Sequence, residues 1–174
     1  SSDVCSSDLN RNQMEIKPTK VSASSECKHE NKVRRAKCVI DDNDMTFWFS
    51  DKPLPQYLLF SFDSPTDISS IEITFQGGFA SESVQFSCGN DDGSFSPVGA
   101  IQYVDDSNAP QRFLVEAKGV QNIRVEFIGS YDLYSRLIVY SVKLFSSPPC
   151  CNTIPSTNKT NDLVLGESQR VLEI

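Results

Sequence analysis

Apolar residues along this chain recur in short runs with alternating apolar positions, and helical spacing is scarce. Ile68 to Phe75 shows the pattern most clearly. Ile71, Ile73 and Phe75 fall on one face and Glu72 and Thr74 on the other, because side chains of an extended backbone alternate between its two sides. Tyr57 to Phe62 (YLLFSF) predicts a strand before it, with the turn-forming Asp63-Ser-Pro-Thr-Asp67 between the two. Ser83 to Cys88, Arg112 to Glu116 and Ile123 to Phe127 predict three further strands. In the last run, Leu137 to Phe145, Ile138, Tyr140, Val142 and Leu144 alternate with Val139, Ser141 and Lys143. The glycine pair Gly77–Gly78 and NDDGS at Asn90 to Ser94 interrupt the runs. Many short strands separated by turn residues predict an all-β protein, an antiparallel β-sandwich or barrel.

The 174 residues suit one domain with a tail. Beyond Phe145 the composition turns to Ser, Pro, Thr and Asn, which bury no core. The domain is therefore expected over 21–146, with a mostly disordered tail over 147–174 and a leader over 10–20. Asn158-Lys-Thr160 in the tail matches a glycosylation sequon, which has meaning only on a secretory route. The final LVLGESQRVLEI has the makings of a short docking segment or of a truncated reading frame. The opening SSDVCSSDL back-translates, codon for codon, to a common short-read sequencing adapter, so Ser1 to Leu9 is expected to be a translated assembly artefact. Met14 is then a candidate initiator.

Charge and chemistry narrow the function classes. A net charge of −7 argues against a nucleic-acid backbone as partner, despite a small basic patch at Lys28, Lys32, Arg34, Arg35 and Lys37. No apolar run approaches the ~20 residues of a membrane span, and the polar amino end offers no signal-peptide core. With Cys5 set aside, Cys27, Cys38, Cys88, Cys150 and Cys151 form no regular framework, which favours a reduced, intracellular setting. His29 is the sole histidine and has no nucleophile motif beside it, so neither a catalytic triad nor a zinc centre is indicated. Gly77–Gly78 lack the lysine and spacing of a phosphate loop. A non-catalytic binding module is the expectation.

One stretch joins acids to the largest apolar side chain in the chain. Asp41, Asp42 and Asp44 surround Asn43, then Thr46 leads into Phe47-Trp48-Phe49, with the only tryptophan at its centre. Either the acids hold a cation, or they shape a turn that drops Trp48 between two sheets. The second reading is the simpler one: Asp side chains commonly cap turns, and a tryptophan buries ~150–250 Å².

This acidic-turn–Thr–x–Trp–x–Ser pattern, the opening VSASSE at Val21 to Glu26, YLLFSFDSPTDISSIEITF and the closing RVEFIGSYDLYSRLIVYSVKLF together resemble the discoidin, or coagulation factor 5/8 C-type, domain. The resemblance covers Val21 to Phe145 and implies a galactose-binding-like jelly roll. Within it, FQGGF at Phe75 to Phe79 and the aromatic–x–R–x–x–x–Y run at Tyr134 to Tyr140 look like the small intracellular nuclear-receptor-associated protein family. That likeness implies a protein partner such as a nuclear receptor or another transcription factor, and a place in the nucleus or cytoplasm. The extracellular relatives imply the alternative: a lectin-like carbohydrate- or lipid-binding domain. In sugar-binding relatives the acidic turn supplies calcium ligands, which here implies Asp41, Asp42, Asp44 and Thr46 as ligands. The glutamate that such relatives add from the final strand is missing from VYSVKLF, which carries Lys143 instead.

Family topology also implies where binding residues sit. It brings the loops 76–81 and 130–136 to one pole, with the segments after SASSE and before YLLFSF. Gly77, Gly78, Phe79, Tyr131, Leu133, Tyr134 and Arg136 are the expected binding residues, since loops on a rigid scaffold concentrate them. Trp48, Ile71, Ile73 and Phe75 are the expected core.

Overall fold

Two twenty-residue strands organise the fold. A computed structural model describes residues 13–147, apart from 30, 31 and 90–92. The expectations for Ser1–Leu9, Cys150, Cys151, the sequon, the tail, and most of the NDDGS turn fall outside the described residues. Gln13–Ser146 forms one compact unit.

In chain order the strands are β1 (Met14–Ile16), β2 (Lys20–Ala23), β3 (Cys27–His29), β4 (Lys32–Arg34), β5 (Trp48–Phe49), β6 (Gln56–Phe75), β7 (Ser81–Gly89), β8 (Phe95–Tyr103), β9 (Gln111–Ser130) and β10 (Ile138–Ser146). A short 3-10 turn, Ala36–Ile40, follows β4. Every pairing is antiparallel, and the main sheet path runs β1-β10-β6-β9-β7-β8, with β2 on β6 and β5 on β10. The protein is an antiparallel β-sandwich.

β6 and β9 pair along their whole length, from Gln56 opposite Phe127 to Ile73 opposite Gln111. A straight strand of this length would span about 65 Å. Yet both ends of β6 lie beside Leu137 and Ile138. Ser50 donates its N–H to Leu137 O, and Ser25 Oγ links Asp51 N–H to the Gln56 side chain. At the other end, Gln76 donates to Ile138 O. The strand must therefore fold over, down one layer and up the other. The bend falls where the register shifts, between Ser61 and Ser70. Here the expected Asp63–Asp67 turn is corrected: the chain bends, but as a corner within a paired strand. β9 bends alongside it, joining the Arg112–Glu116 and Ile123–Phe127 runs into one element, with positive φ at Glu116 and Gly119.

The core lies between the layers. Ile71, Ile73 and Phe75 are fully buried on one side, and Leu58, Phe60, Val125 and Phe127 on the other. Phe75 and Phe127 meet edge to face across the gap, ring centres 5.9 Å apart. Trp48 is wholly enclosed, 5.7 Å from Phe127, and its indole N–H donates to Ser25 O at 2.8 Å. An aromatic of this size with its polar atom satisfied is a strong packing anchor.

Three further expectations are corrected. Met14–Ile16, assigned to a leader, is an edge strand on β10. Strand β8 carried no sequence signal because it is an edge strand with mostly exposed residues. The alternation in β10 changes phase: a bulge between Val139 and Ser141 buries Ile138, Val139, Val142 and Leu144, while Tyr140 turns outward.

Candidate functional site at one pole of the sandwich

The pole is assembled by backbone hydrogen bonds between the two expected loops. Tyr131 donates to Ala80 O and Ile138 to Phe79 O, and Ser81 pairs with Ser130. The loop 130–136 is then closed on Asp132, whose Oδ2 accepts from Tyr134 N (3.1 Å), Arg136 N (3.0 Å) and Arg136 Nε (2.8 Å). Its Oδ1 accepts from the Arg136 guanidinium at 3.1 Å. Ser130 Oγ receives Asp132 N–H and donates to Arg136 O, so both ends of the loop are tied. The guanidinium beside Asp132 holds its carboxyl below the usual carboxylate range, and Asp132 raises Arg136 in turn.

This closure sets what is presented. Leu133 is 94% exposed and Tyr134 77% exposed, two large side chains held outward by a loop closed on Asp132. Arg136 lies 5.2 Å from the ring centres of both Phe79 and Tyr134, within cation–π range. A cleft of about 370 Å³ runs beside them, lined by Cys27, Phe49, Asp51, Lys52, Tyr134 and Arg136 among others.

The expected residues divide by role. Leu133, Tyr134 and Arg136 are exposed together, and Phe79 sits half-buried under Arg136. Tyr131 is half-exposed, but its hydroxyl donates to Val104 O at 2.8 Å and ties the loop to the end of β8. Gly77 N–H and Gly78 N–H donate to the side chains of Asn108 and Asp106. They therefore anchor the neighbouring loop, and only Gly78, with φ of 88°, needs glycine's freedom. Sequence reasoning missed Asp132, Asp106 and Asn108, and the cleft residues Cys27, Asp51 and Lys52. For Asp132 the signal was there: an acid four residues before Arg136, behind a serine in a turn.

The acidic turn lies elsewhere. Asp41 accepts from Asn43 N–H and from the Thr46 hydroxyl, and Asn43 Oδ1 accepts from Met45 N–H. Asp42 points to Lys17 at 3.0 Å, which lowers its pKa, while Glu15 and then Asp42 raise that of Lys17. Calcium needs six to eight converging oxygens. Lys17 takes Asp42, the Thr46 hydroxyl bonds Asp41, and among the described residues no group of three His, Cys, Asp or Glu side chains is placed to hold a metal ion.

The chain is 30% identical over 102 residues to the nuclear receptor 2C2-associated protein of Xenopus laevis, covering 59% of this chain and 74% of that one. It is 30% identical over 109 residues to the protein of that name from Danio rerio (62% and 77%), and 29% identical over 112 residues to the human one (62% and 77%). No protein-family profile matches the chain. Among solved structures, an F5/8 type C domain from Bacteroides fragilis superposes with a TM-score of 0.67 at 14% identity, covering 78% of this chain and 97% of that one. The family 32 carbohydrate-binding module of Clostridium perfringens NanJ, in complex with galactose, gives 0.64 at 20% identity, covering 77% and 99%. These structural likenesses establish the fold. The sequence relatives go further: the chain belongs to the nuclear receptor 2C2-associated protein family.

Proposed function

We propose that this protein is a non-catalytic, intracellular interaction module that regulates a nuclear receptor or another transcription factor by binding it at the Leu133–Arg136 pole. One observation carries the reading. Leu133 and Tyr134 stand exposed on a loop that Asp132 has already fixed, so presenting them to a partner requires little further ordering. Aromatic and arginine side chains are the types that dominate interface energetics. The names of the relatives supply the partner class. The chemistry of the pole supports a non-catalytic role. A general base needs a free lone pair near neutral pKa. Asp132 instead gives both oxygens to Arg136 and the backbone, with its pKa pushed down.

Co-precipitation with the ligand-binding region of nuclear receptor 2C2 tests this. Retention by the wild type, weakened about tenfold or more by Leu133→Ala and by Tyr134→Ala, is the expected result. Wild-type affinity in both variants, with unchanged circular dichroism, removes the site from this pole.

A second reading rests on the cleft. It combines the Tyr134 ring with the hydrogen-bonding groups of Asp51, Lys52 and Arg136, a set suited to a sugar, in a fold whose solved relatives include galactose-bound modules. A glycan array with and without chelator discriminates. Strong binding there, above all calcium-dependent binding, replaces the protein-partner reading.

A further inference from the structure

The charge of this pole is opposite to that of the rest of the chain. The described segments meeting there include 24–28, 35–37, 50–53 and 130–136: Ser25 is bonded to Asp51, and Cys27, Lys52, Tyr134 and Arg136 share one cleft. In sequence these segments carry five Lys or Arg against three Asp or Glu, within a chain that has 16 against 23 overall. Two of the three acids are already engaged. Glu26 accepts Ala36 N–H, and Asp132 is held by Arg136, whose own charge it offsets. Lys28, Arg35 and Lys52 are exposed, and Lys52 lines the cleft together with Asp51, its exposed acid. The hairpin β3–β4 pairs the backbone of Cys27, a residue of the cleft wall, with that of Arg34.

Resting on the protein-partner reading, we propose that the pole recognises an acidic peptide segment carrying one or two bulky apolar side chains. The apolar side chains cover Leu133 and Tyr134, and the flanking carboxylates face Lys28, Arg35 and Lys52. Opposite potentials across an interface speed encounter and exclude wrong partners, while the apolar contact holds the complex. In a chain of net charge −7, a locally basic pole steers an acidic partner toward itself before contact.

Selection from a random peptide display library on the full chain tests the inference. Enrichment of Asp and Glu around Leu, Ile, Phe or Trp is expected. An enriched peptide, labelled and measured by fluorescence anisotropy, should lose about tenfold in affinity at low salt with Lys28→Glu/Lys52→Glu, and its salt dependence should flatten. Leu133→Ala should weaken it comparably with the salt dependence unchanged. Peptides that need Leu133 and Tyr134 but lack acidic enrichment overturn the acidic specificity and leave the protein-binding reading standing. Peptides indifferent to both substitutions, or no enrichment at all, overturn both. Displacement of the peptide by an oligouronate or a single-stranded oligonucleotide at lower concentration than by unlabelled peptide overturns the inference in favour of that ligand.

Discussion

Two turns in this protein are built by the same device and do opposite things. In 41–46, Asp41 accepts from the N–H two residues on and from the Thr46 hydroxyl. In 130–136, Asp132 accepts from the N–H groups two and four residues on and from the Arg136 guanidinium. Both carboxylates close a short loop. The first turn delivers Trp48 to full burial, and the second leaves Leu133 and Tyr134 in solvent. The closing chemistry does not decide the fate of the apolar residues; what lies beyond the loop does. Behind Phe47 the chain enters β5 against β10, under Phe127. The Leu133–Tyr134 tip of the 130–136 loop borders the open cleft, and the chain turns inward only after it, at Leu137. A turn that fixes an apolar residue inward is a folding device, and one that fixes it outward is a presenting device.

The largest expected effect breaks the pair apart. Trp48→Ala should lower stability by about 3–5 kcal/mol, through lost burial and the cavity left behind, enough to unfold a marginal domain. Leu133→Ala and Tyr134→Ala should stay within about 0.5 kcal/mol of wild type while weakening partner binding. Urea denaturation with a binding assay checks both. If Leu133→Ala destabilises as much as Trp48→Ala, the 130–136 loop belongs to the core and the comparison collapses.

The next effects sharpen it. Asp132→Ala removes acceptors for two backbone N–H groups and the guanidinium, and should cost about 1 kcal/mol in stability, more than Asp41→Ala in its exposed turn. It should also reduce binding beyond its stability effect, because Leu133 and Tyr134 are no longer held outward. Gly78→Ala should cost a similar ~1 kcal/mol, since φ is 88° there although nothing crowds the added methyl. Gly77→Ala should be milder, its methyl reaching only Asn108. Thermal melts rank the four.

How much of this was legible follows from which forces are local. The face of Ile71, Ile73 and Phe75 was readable because alternation is a property of the strand itself. Trp48 as core followed from its size. The corner in β6 was not readable as a paired bend, because Asp63–Asp67 have turn chemistry whichever strand lies alongside. The phase change in β10 was hidden for the same reason: a bulge is settled by the partner, here Phe75 and Thr74. At the pole, the meeting of loops 76–81 and 130–136 came from family topology. That Tyr131 and Gly77–Gly78 serve as anchors, while Leu133 and Tyr134 are presented, depended on Val104, Asp106 and Asn108, distant in sequence.

The smallest expected effect separates the anchored acid of the pole from an acid that only meets a surface lysine. Asp132 and Asp42 both have folded pKa values below their ordinary ones, Asp132 chiefly through Arg136 and Asp42 chiefly through Lys17. A carboxylate with a depressed folded pKa binds protons less readily folded than unfolded. Its stabilisation is therefore complete above the unfolded value, ~3.9 for Asp, and is lost as pH falls through the depressed folded value. Wild type and Asp132→Asn should thus differ most near neutral pH and converge in strong acid, where both side chains are neutral. The Asp42→Asn variant should show the same direction with a smaller amplitude. Its partner Lys17 is half-exposed, and its own side chain is 60% exposed, against 10% for Asp132. Salt distinguishes them further. Screening should erase the Asp42 effect at high ionic strength and leave most of the Asp132 effect, which rests on direct hydrogen bonds from two backbone N–H groups as well as the guanidinium. Melting temperatures of the two variants from neutral to acid pH, at low and high salt, decide the matter. Equal salt sensitivity would mean that Asp132 acts as a surface charge, and that the loop it closes is not held as the comparison requires.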